Sequence, residues 1–120
     1  MSGIIGTSSS KSKVIGRSLD TAKAWLMFGG DTPAIIDDYN ISSIADTATG
    51  NTLVSFENNM SNANYCVVSS YGGNHNVYSV ESRLGTTQST SQFNIWTIYG
   101  TSGAEGMTEV VETGVLVFGD

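Results

Sequence analysis

The residues that most often carry chemistry are scarce in this sequence. His75 is the only histidine and Cys66 the only cysteine among the 120 residues. A zinc site needs several His, Cys or carboxylate ligands, and a serine hydrolase of the common type places its nucleophile in a Gly-x-Ser-x-Gly turn. The sequence has no such turn. We therefore expect His75 to be an exposed loop residue, and we predict no catalytic residue and no metal site.

Paired carboxylates are the second candidate for chemistry. Asp37 and Asp38 are adjacent, and glycoside hydrolysis needs two carboxylates that face each other across a bond. Neighbouring residues of a strand point to opposite faces, so a solvated turn is the favoured interpretation of this pair. A hard cation held by Asp31, Asp37 and Asp38 is a weaker alternative, because the spacing is not that of an EF-hand loop. We expect neither an enzyme nor a cofactor.

The composition favours strands over helices. Hydrophobic residues make up 39% and charged residues 13% of the chain, with 14 glycines and one proline. A disordered acidic tail or a helical bundle would carry more charge. Short apolar segments recur every 8–12 residues, which is typical of an all-β domain. The sequence predicts an antiparallel β-sandwich, jelly-roll-like, with about eight strands over 23–120, preceded by an extended arm over 1–22.

Some segments of this sandwich can be assigned individually. Residues 93–99 are the richest strand in β-branched and aromatic residues, 108–111 is predicted as another strand, and the polar stretch 84–91 as a loop. Cys66 lies in a near-continuous apolar strand and is expected to be buried. Trp96 is expected in the core or at a seam between subunits. The aromatic residues assigned to the core are Trp25, Phe28, Phe56 and Phe93.

Charge is distributed unevenly along the chain. Four of the five basic residues lie in 1–23 with a single acid, whereas ten of the eleven acids follow. An acidic body repels phosphate backbones, so we expect no binding of nucleic acid. No apolar run approaches the roughly 20 residues of a membrane span, and the start lacks the apolar core of a signal peptide. We expect no membrane insertion.

The arm carries the same small apolar motif twice. Ile4-Ile5-Gly6 is followed ten residues later by Val14-Ile15-Gly16, with only polar residues between them. Two short apolar clusters on a polar tether predict docking into the grooves of a partner. The alternative is an arm that folds back on its own domain.

Several blocks of the body resemble a known family. Residues 23–30, KAWLMFGG, are similar to the "KAWVNFNG" opening of a β domain common in fibre and virion proteins of tailed bacteriophages. Further blocks match this domain in the same order: 38–46 (DYNISSIAD), 49–56 (TGNTLVSF), 60–68 (MSNANYCVV) and 115–119 (VLVFG). The resemblance does not cover 71–107.

The arm resembles the "MSGIIGgaGSKSgVIG" start of many phage structural proteins, although Lys13 and Ser8-Ser9 stand where glycines are usual. The resemblance implies that the arm attaches the protein to the virion, and that the domain is a homotrimer within a particle assembled in the host cytoplasm and released by lysis. The implied anchoring residues are Ile4, Ile5, Gly6, Val14, Ile15 and Gly16. The long stalk usual in this family is missing between arm and domain.

These features predict a non-enzymatic virion structural protein, a short tail fibre or spike component that contacts a glycan or protein of the host surface. The absence of a stalk favours the alternative, a capsid decoration or cement protein. Recognition on rigid β scaffolds is usually carried by loops. The candidate recognition residues are Tyr71, Asn74, His75 and Tyr78, and the segment 84–92 is a second candidate region.

Overall fold

The computed structural model describes residues 22–72, 79–101 and 104–119. These residues form nine strands and no helix, so within the described ranges there is no helix that could cross a membrane. The strands are β1 (Ala22–Gly29), β2 (Ala34–Tyr39), β3 (Ile41–Ala48), β4 (Asn51–Phe56), β5 (Cys66–Gly72), β6 (Ser79–Gln88), β7 (Gln92–Thr101), β8 (Ala104–Met107) and β9 (Glu112–Phe118). The all-β prediction is confirmed, with one strand more than expected.

The strands form two antiparallel sheets. The first sheet has the order β2-β1-β9-β5, and the second has the order β3-β4-β7-β6, with β8 paired to β7. The first and last strands are neighbours, and the chain crosses between the sheets from β2 to β3, from β4 to β5, from β5 to β6 and from β8 to β9. Two antiparallel sheets packed on each other form a β-sandwich, as the sequence predicted.

The core lies between the two sheets and follows the alternation of each strand. Along β1 and β9 every second side chain is buried, which is the pattern of strands with one face in a core. Phe28, Phe56 and Phe93 are buried as predicted. The rings of Phe56 and Phe93 lie 5.3 Å apart, and Tyr65 packs edge-on against Phe56 at 5.5 Å.

Two residues expected in the core lie elsewhere. Trp25 is half-buried on the outer side of the first sheet, because it alternates with the buried Ala24 and Leu26. Cys66 is exposed. It is next to Val67, which pairs with the fully buried Val117 on the inner side, so Cys66 faces the outer side of the first sheet. An apolar sequence run therefore did not imply burial at either position.

Three segments differ from the predicted elements. Residues 84–88 belong to β6 and are not a loop; an irregularity between Leu84 and Gln88 lets the strand continue. Asp37 and Asp38 lie within β2 and not in a turn. Residues 108–110 are not a strand. Instead, the Val110 carbonyl accepts hydrogen bonds of 3.0 Å from the amides of Gly30 and Asp31.

Tyr65 joins the segment before β5 to the turn between β6 and β7. Its ring is buried, and its hydroxyl donates to the carbonyls of Ser89 at 2.8 Å and Gln92 at 3.2 Å. Burial raises the pKa of the Tyr65 hydroxyl above its ordinary value. The folded state therefore favours the neutral phenol.

Tyr65→Phe is expected to change how stability depends on alkaline pH. The unfolded state ionises Tyr65 first, near pH 10, so the contribution of this residue is fully present below that pH and is lost as the pH rises through the folded pKa. At neutral pH the variant should lose about 1 kcal/mol with its hydrogen bonds. Urea unfolding from pH 7 to pH 11 measures both effects. An equal fall in the free energy of unfolding of both proteins above pH 10 would contradict this assignment.

Candidate functional site

The two ends of the first sheet are next to different parts of the chain. Ala22, where the described chain begins, pairs with Phe118, and Phe118 pairs with Cys66 on its other side; we call this the arm end. At the opposite end Gly72 pairs with Glu112; we call this the far end. Because β5 runs from Cys66 to Gly72, the two ends are about 20 Å apart. Ala22 and Gly72, the described residues that border the arm and the segment 73–78 in the sequence, therefore lie at opposite ends of the sheet.

The structure places the predicted recognition residues as follows. Tyr71 is exposed at the far end, one residue before β5 ends. It pairs with the fully buried Thr113, so it points to the inner side of the sheet at an open edge. Asn74, His75 and Tyr78 lie outside the described residues, as do the six predicted anchoring residues of the arm.

The second candidate region is not brought together with the first. The turn at 89–91 lies at the arm end, where the Met60 amide donates to the Thr90 carbonyl and the Phe56 amide to the Ser91 carbonyl. Among the described residues, Tyr71 and the turn 89–91 therefore lie at different ends of the sandwich. Tyr71 is the one candidate recognition residue of the four that the structure describes, and it is exposed.

A feature that the sequence did not predict is the outer face of the first sheet. Strand register places two rows of side chains across all four strands. The first row is Tyr39, Trp25, Leu116 and Val68, and the second row is Asp37, Met27, Gly114 and Ser70. Val68 is 50% and Leu116 43% exposed. Apolar residues therefore occupy both faces of this sheet, one in the core and one open.

A groove of about 420 Å³ crosses this face. Gly114 has no side chain, so the second row is interrupted between Met27 and Ser70. The side chains of Trp25, Val68 and Leu116 border this depression. We call it the outer groove. The depression depends on the glycine, because any side chain at position 114 would occupy it. The Cβ of such a side chain would lie 3.0 Å from the Ser70 Oγ.

The outer groove is apolar with a single carboxylate at its rim. Asp37 lines it from β2 and is exposed. Its Oδ1 accepts a hydrogen bond of 3.0 Å from the Asp38 amide. Such a groove suits a segment that has aliphatic side chains next to a basic residue. The aliphatic side chains would fill the apolar groove, and the cation would lie near the carboxylate. In the described residues we find no group of three or more His, Cys, Asp or Glu side chains placed to hold a metal ion.

The sequence does contain a pattern that indicates an apolar outer face of the first sheet. Residues 24–28, 66–68 and 115–118 are apolar at almost every position, which is typical of strands covered on both faces. The depression itself could not be predicted, because it needs the register that aligns Gly114 with Met27 and Ser70.

Comparison with known proteins adds no relative to this description. No family model matches the chain, and no curated protein and no solved structure is similar enough to it to count as a match.

Proposed function

We propose that this chain is a non-enzymatic structural protein of a tailed-bacteriophage particle, a short tail fibre or spike component that touches the host surface. The observation that carries the proposal is the placement of Ala22 and Gly72 at opposite ends of the first sheet. In the sequence the arm, which resembles phage attachment arms, precedes Ala22, and the candidate recognition segment 73–78 follows Gly72. An attachment protein needs this separation of anchor and contact surface.

The sandwich supports the proposal in a second way. A rigid β scaffold lets loops at one end vary without loss of the core. The blocks that resemble the phage β domain cover β4 and most of β1, and the second half of β9, whereas 71–107, which includes Tyr71 and the segment after Gly72, falls outside the resemblance. We propose that the far end selects the receptor, a glycan or protein of the host surface.

Homotrimer formation is part of the proposal. Fibres and spikes of the family that the sequence resembles are commonly threefold, and closed cyclic symmetry is the usual form of homo-oligomers. Sedimentation equilibrium of the purified chain at micromolar concentration should give a trimer mass. A stable monomer at that concentration would count against this part.

The decisive experiment is the copy number of the chain in purified particles. Quantitative mass spectrometry against the major capsid protein should find few copies, and these should be lost when tails are removed. The same particles built with a chain lacking residues 1–16 should contain none of it. Hundreds of copies that stay with tailless heads would instead identify a decoration or cement protein.

Adsorption of particles to host cells tests the contact surface. Tyr71→Ala and His75→Ala should slow adsorption, because amphipathic aromatic and imidazole side chains commonly contribute to hot spots and recognition loops. Ser61→Ala is the matched control near the arm end, where the side chain is also exposed and which lies outside both candidate regions. Equal adsorption by all three variants would move the contact surface away from the far end.

A further inference from the structure

The side chains around the outer groove form an exposed apolar patch. Met27 is 40%, Leu116 43% and Val68 50% exposed, and they adjoin one another across β1, β9 and β5. Contiguous exposed apolar patches rimmed by polar groups mark interaction sites. Covering this face with other apolar groups would be favourable at roughly 25 cal/mol per Å².

The shape of the groove selects the kind of occupant. The depression at Gly114 lies inside the sheet, where β9 is already paired on both sides, so an added strand cannot bind there through its backbone. The same face of a second copy would bring another depression against it and leave a void, which forfeits contacts. A short segment that inserts one or two aliphatic side chains fits the depression better.

The arm of the same chain contains such a segment at the required distance. Ala22 enters at the arm end, and the groove centre lies beside Met27, five residues along β1 and so about 17 Å away. The eight residues from position 14 to position 22 span up to about 28 Å when extended. An arm that reverses direction before Ala22 therefore brings Val14 and Ile15 over the groove, whereas Ile4 and Ile5 are ten residues farther out.

Charge favours the same segment. Asp37 lies on the rim of the groove, and Lys13 and Arg17 flank the pair Val14-Ile15. Aliphatic side chains in the depression would place one of these cations near the carboxylate. An exposed pair of this kind contributes little energy, but it sets the direction in which the segment lies.

We propose that the outer groove is the binding site for Val14 and Ile15 of the same chain, with Asp37 paired to Lys13 or Arg17. The inner cluster of the arm then covers the exposed sheet face, and the outer cluster Ile4-Ile5-Gly6 remains for attachment. This inference does not rest on the proposed virion function, since it concerns the isolated chain and is tested there.

Disulfide trapping in the full-length chain tests the proposal. In a Cys66→Ser background, Ile15→Cys is combined with Ser70→Cys, which lines the groove. The matched control combines Ile15→Cys with Ser43→Cys, an exposed serine of the second sheet. Under mild oxidation the 15–70 bond should form within one chain, about tenfold faster than the 15–43 bond, because docking raises the effective concentration of the two thiols. Equal rates, or a 15–70 bond formed only between two copies, would overturn the proposal.

A groove-filling variant provides an independent readout. Gly114→Val suits a strand, and its Cβ meets only the Ser70 Oγ, which can turn away. In the trapping experiment it should lower the 15–70 rate to that of the control pair. In a Trp96→Phe background, which leaves Trp25 as the only tryptophan of the sequence, acrylamide should quench the fluorescence more strongly after Val14→Ser with Ile15→Ser, and these changes should add nothing to Gly114→Val. Unchanged trapping in the Gly114→Val chain would show that the arm does not use this groove.

Discussion

Phe93→Ala is expected to lower the free energy of unfolding by about 4 kcal/mol, the cost of removing a large buried aromatic side chain and leaving a cavity. Phe93 is 0% exposed, and its ring packs against Phe56 at 5.3 Å and Tyr65 at 6.1 Å. The cavity cannot collapse easily, because β4 and β6 flank Phe93 through pairing with Val54 and Gln88.

This loss is a large part of the roughly 5–15 kcal/mol that holds a domain folded. Urea unfolding followed by far-UV circular dichroism measures it, with Tyr39→Ala as the matched control. Tyr39 is also aromatic but is 57% exposed on an edge strand, so its removal should cost under about 1 kcal/mol. If Phe93→Ala does not fold, Phe93→Leu should still lose about 1–2 kcal/mol. Similar losses for Phe93→Ala and Tyr39→Ala would show that Phe93 is not a core residue.

β1 shows which features of a strand can be predicted from the sequence and which cannot. The apolar run 24–28 predicts a strand, and residue type predicts the burial of Phe28. The alternation appears only in the structure, where it places Trp25 on the outer face. Trp25 was assigned to the core by residue type, because a large aromatic residue is usually buried. The outer groove explains the difference, since Trp25 lies half-buried at its border.

Segments that depend on distant partners could not be assigned from local pattern. Residues 84–88 are polar, yet they stay in β6 because the Asn94 Oδ1 accepts from the Thr87 amide at 2.7 Å. Residues 108–110 are rich in strand formers, yet their backbone bonds go to Thr97 and to Gly30 and Asp31. Both outcomes are set by contacts with other segments, seven residues away for Thr87 and Asn94 and about 80 away for Val110 and Gly30, which local propensity does not contain.

The candidate sites were also predictable only in part: the sequence indicates residue types but not their arrangement. Residue types identified Tyr71 as an exposed aromatic residue, and the structure confirms its exposure at 39%. The separation of the arm end from the far end, and the depression at Gly114, follow from strand order and register. Neither can be derived from composition or spacing, because a shift of one residue in register moves every side chain to the other face.

One edge of β7 is shared by two strands, and Gly50 occupies the point where they meet. β4 pairs with β7 up to Trp96, and β8 pairs with it from Ile98 onward. Between them, the Thr97 amide donates to the Gly50 carbonyl at 2.8 Å, and the Thr108 amide donates to the Thr97 carbonyl at 3.0 Å. Glu109 closes this junction, because its Oε1 accepts from the Gly50 amide at 2.7 Å.

Gly50→Ala is expected to destabilise the fold by about 3 kcal/mol or more, since a left-handed non-glycine residue alone costs about 1 kcal/mol or more. The φ of Gly50 is +65°, and a Cβ there would lie 2.6 Å from the Thr97 carbonyl oxygen and 2.7 Å from the Thr108 amide nitrogen. These are backbone atoms, so no side-chain rotation relieves the clash, and the junction between β4 and β8 must open.

Urea unfolding measures the loss in stability, and hydrogen exchange of the Thr97 and Thr108 amides shows whether the junction opens. Gly114→Ala is the matched control: its φ is not positive, and its Cβ would meet only a serine hydroxyl, so its cost should stay under about 1 kcal/mol. Glu109→Gln separates the steric effect from the loss of a charged hydrogen bond, and should cost only about 1 kcal/mol. If Gly50→Ala were as stable as Gly114→Ala, with both amides still protected, the shared edge of β7 would not depend on glycine.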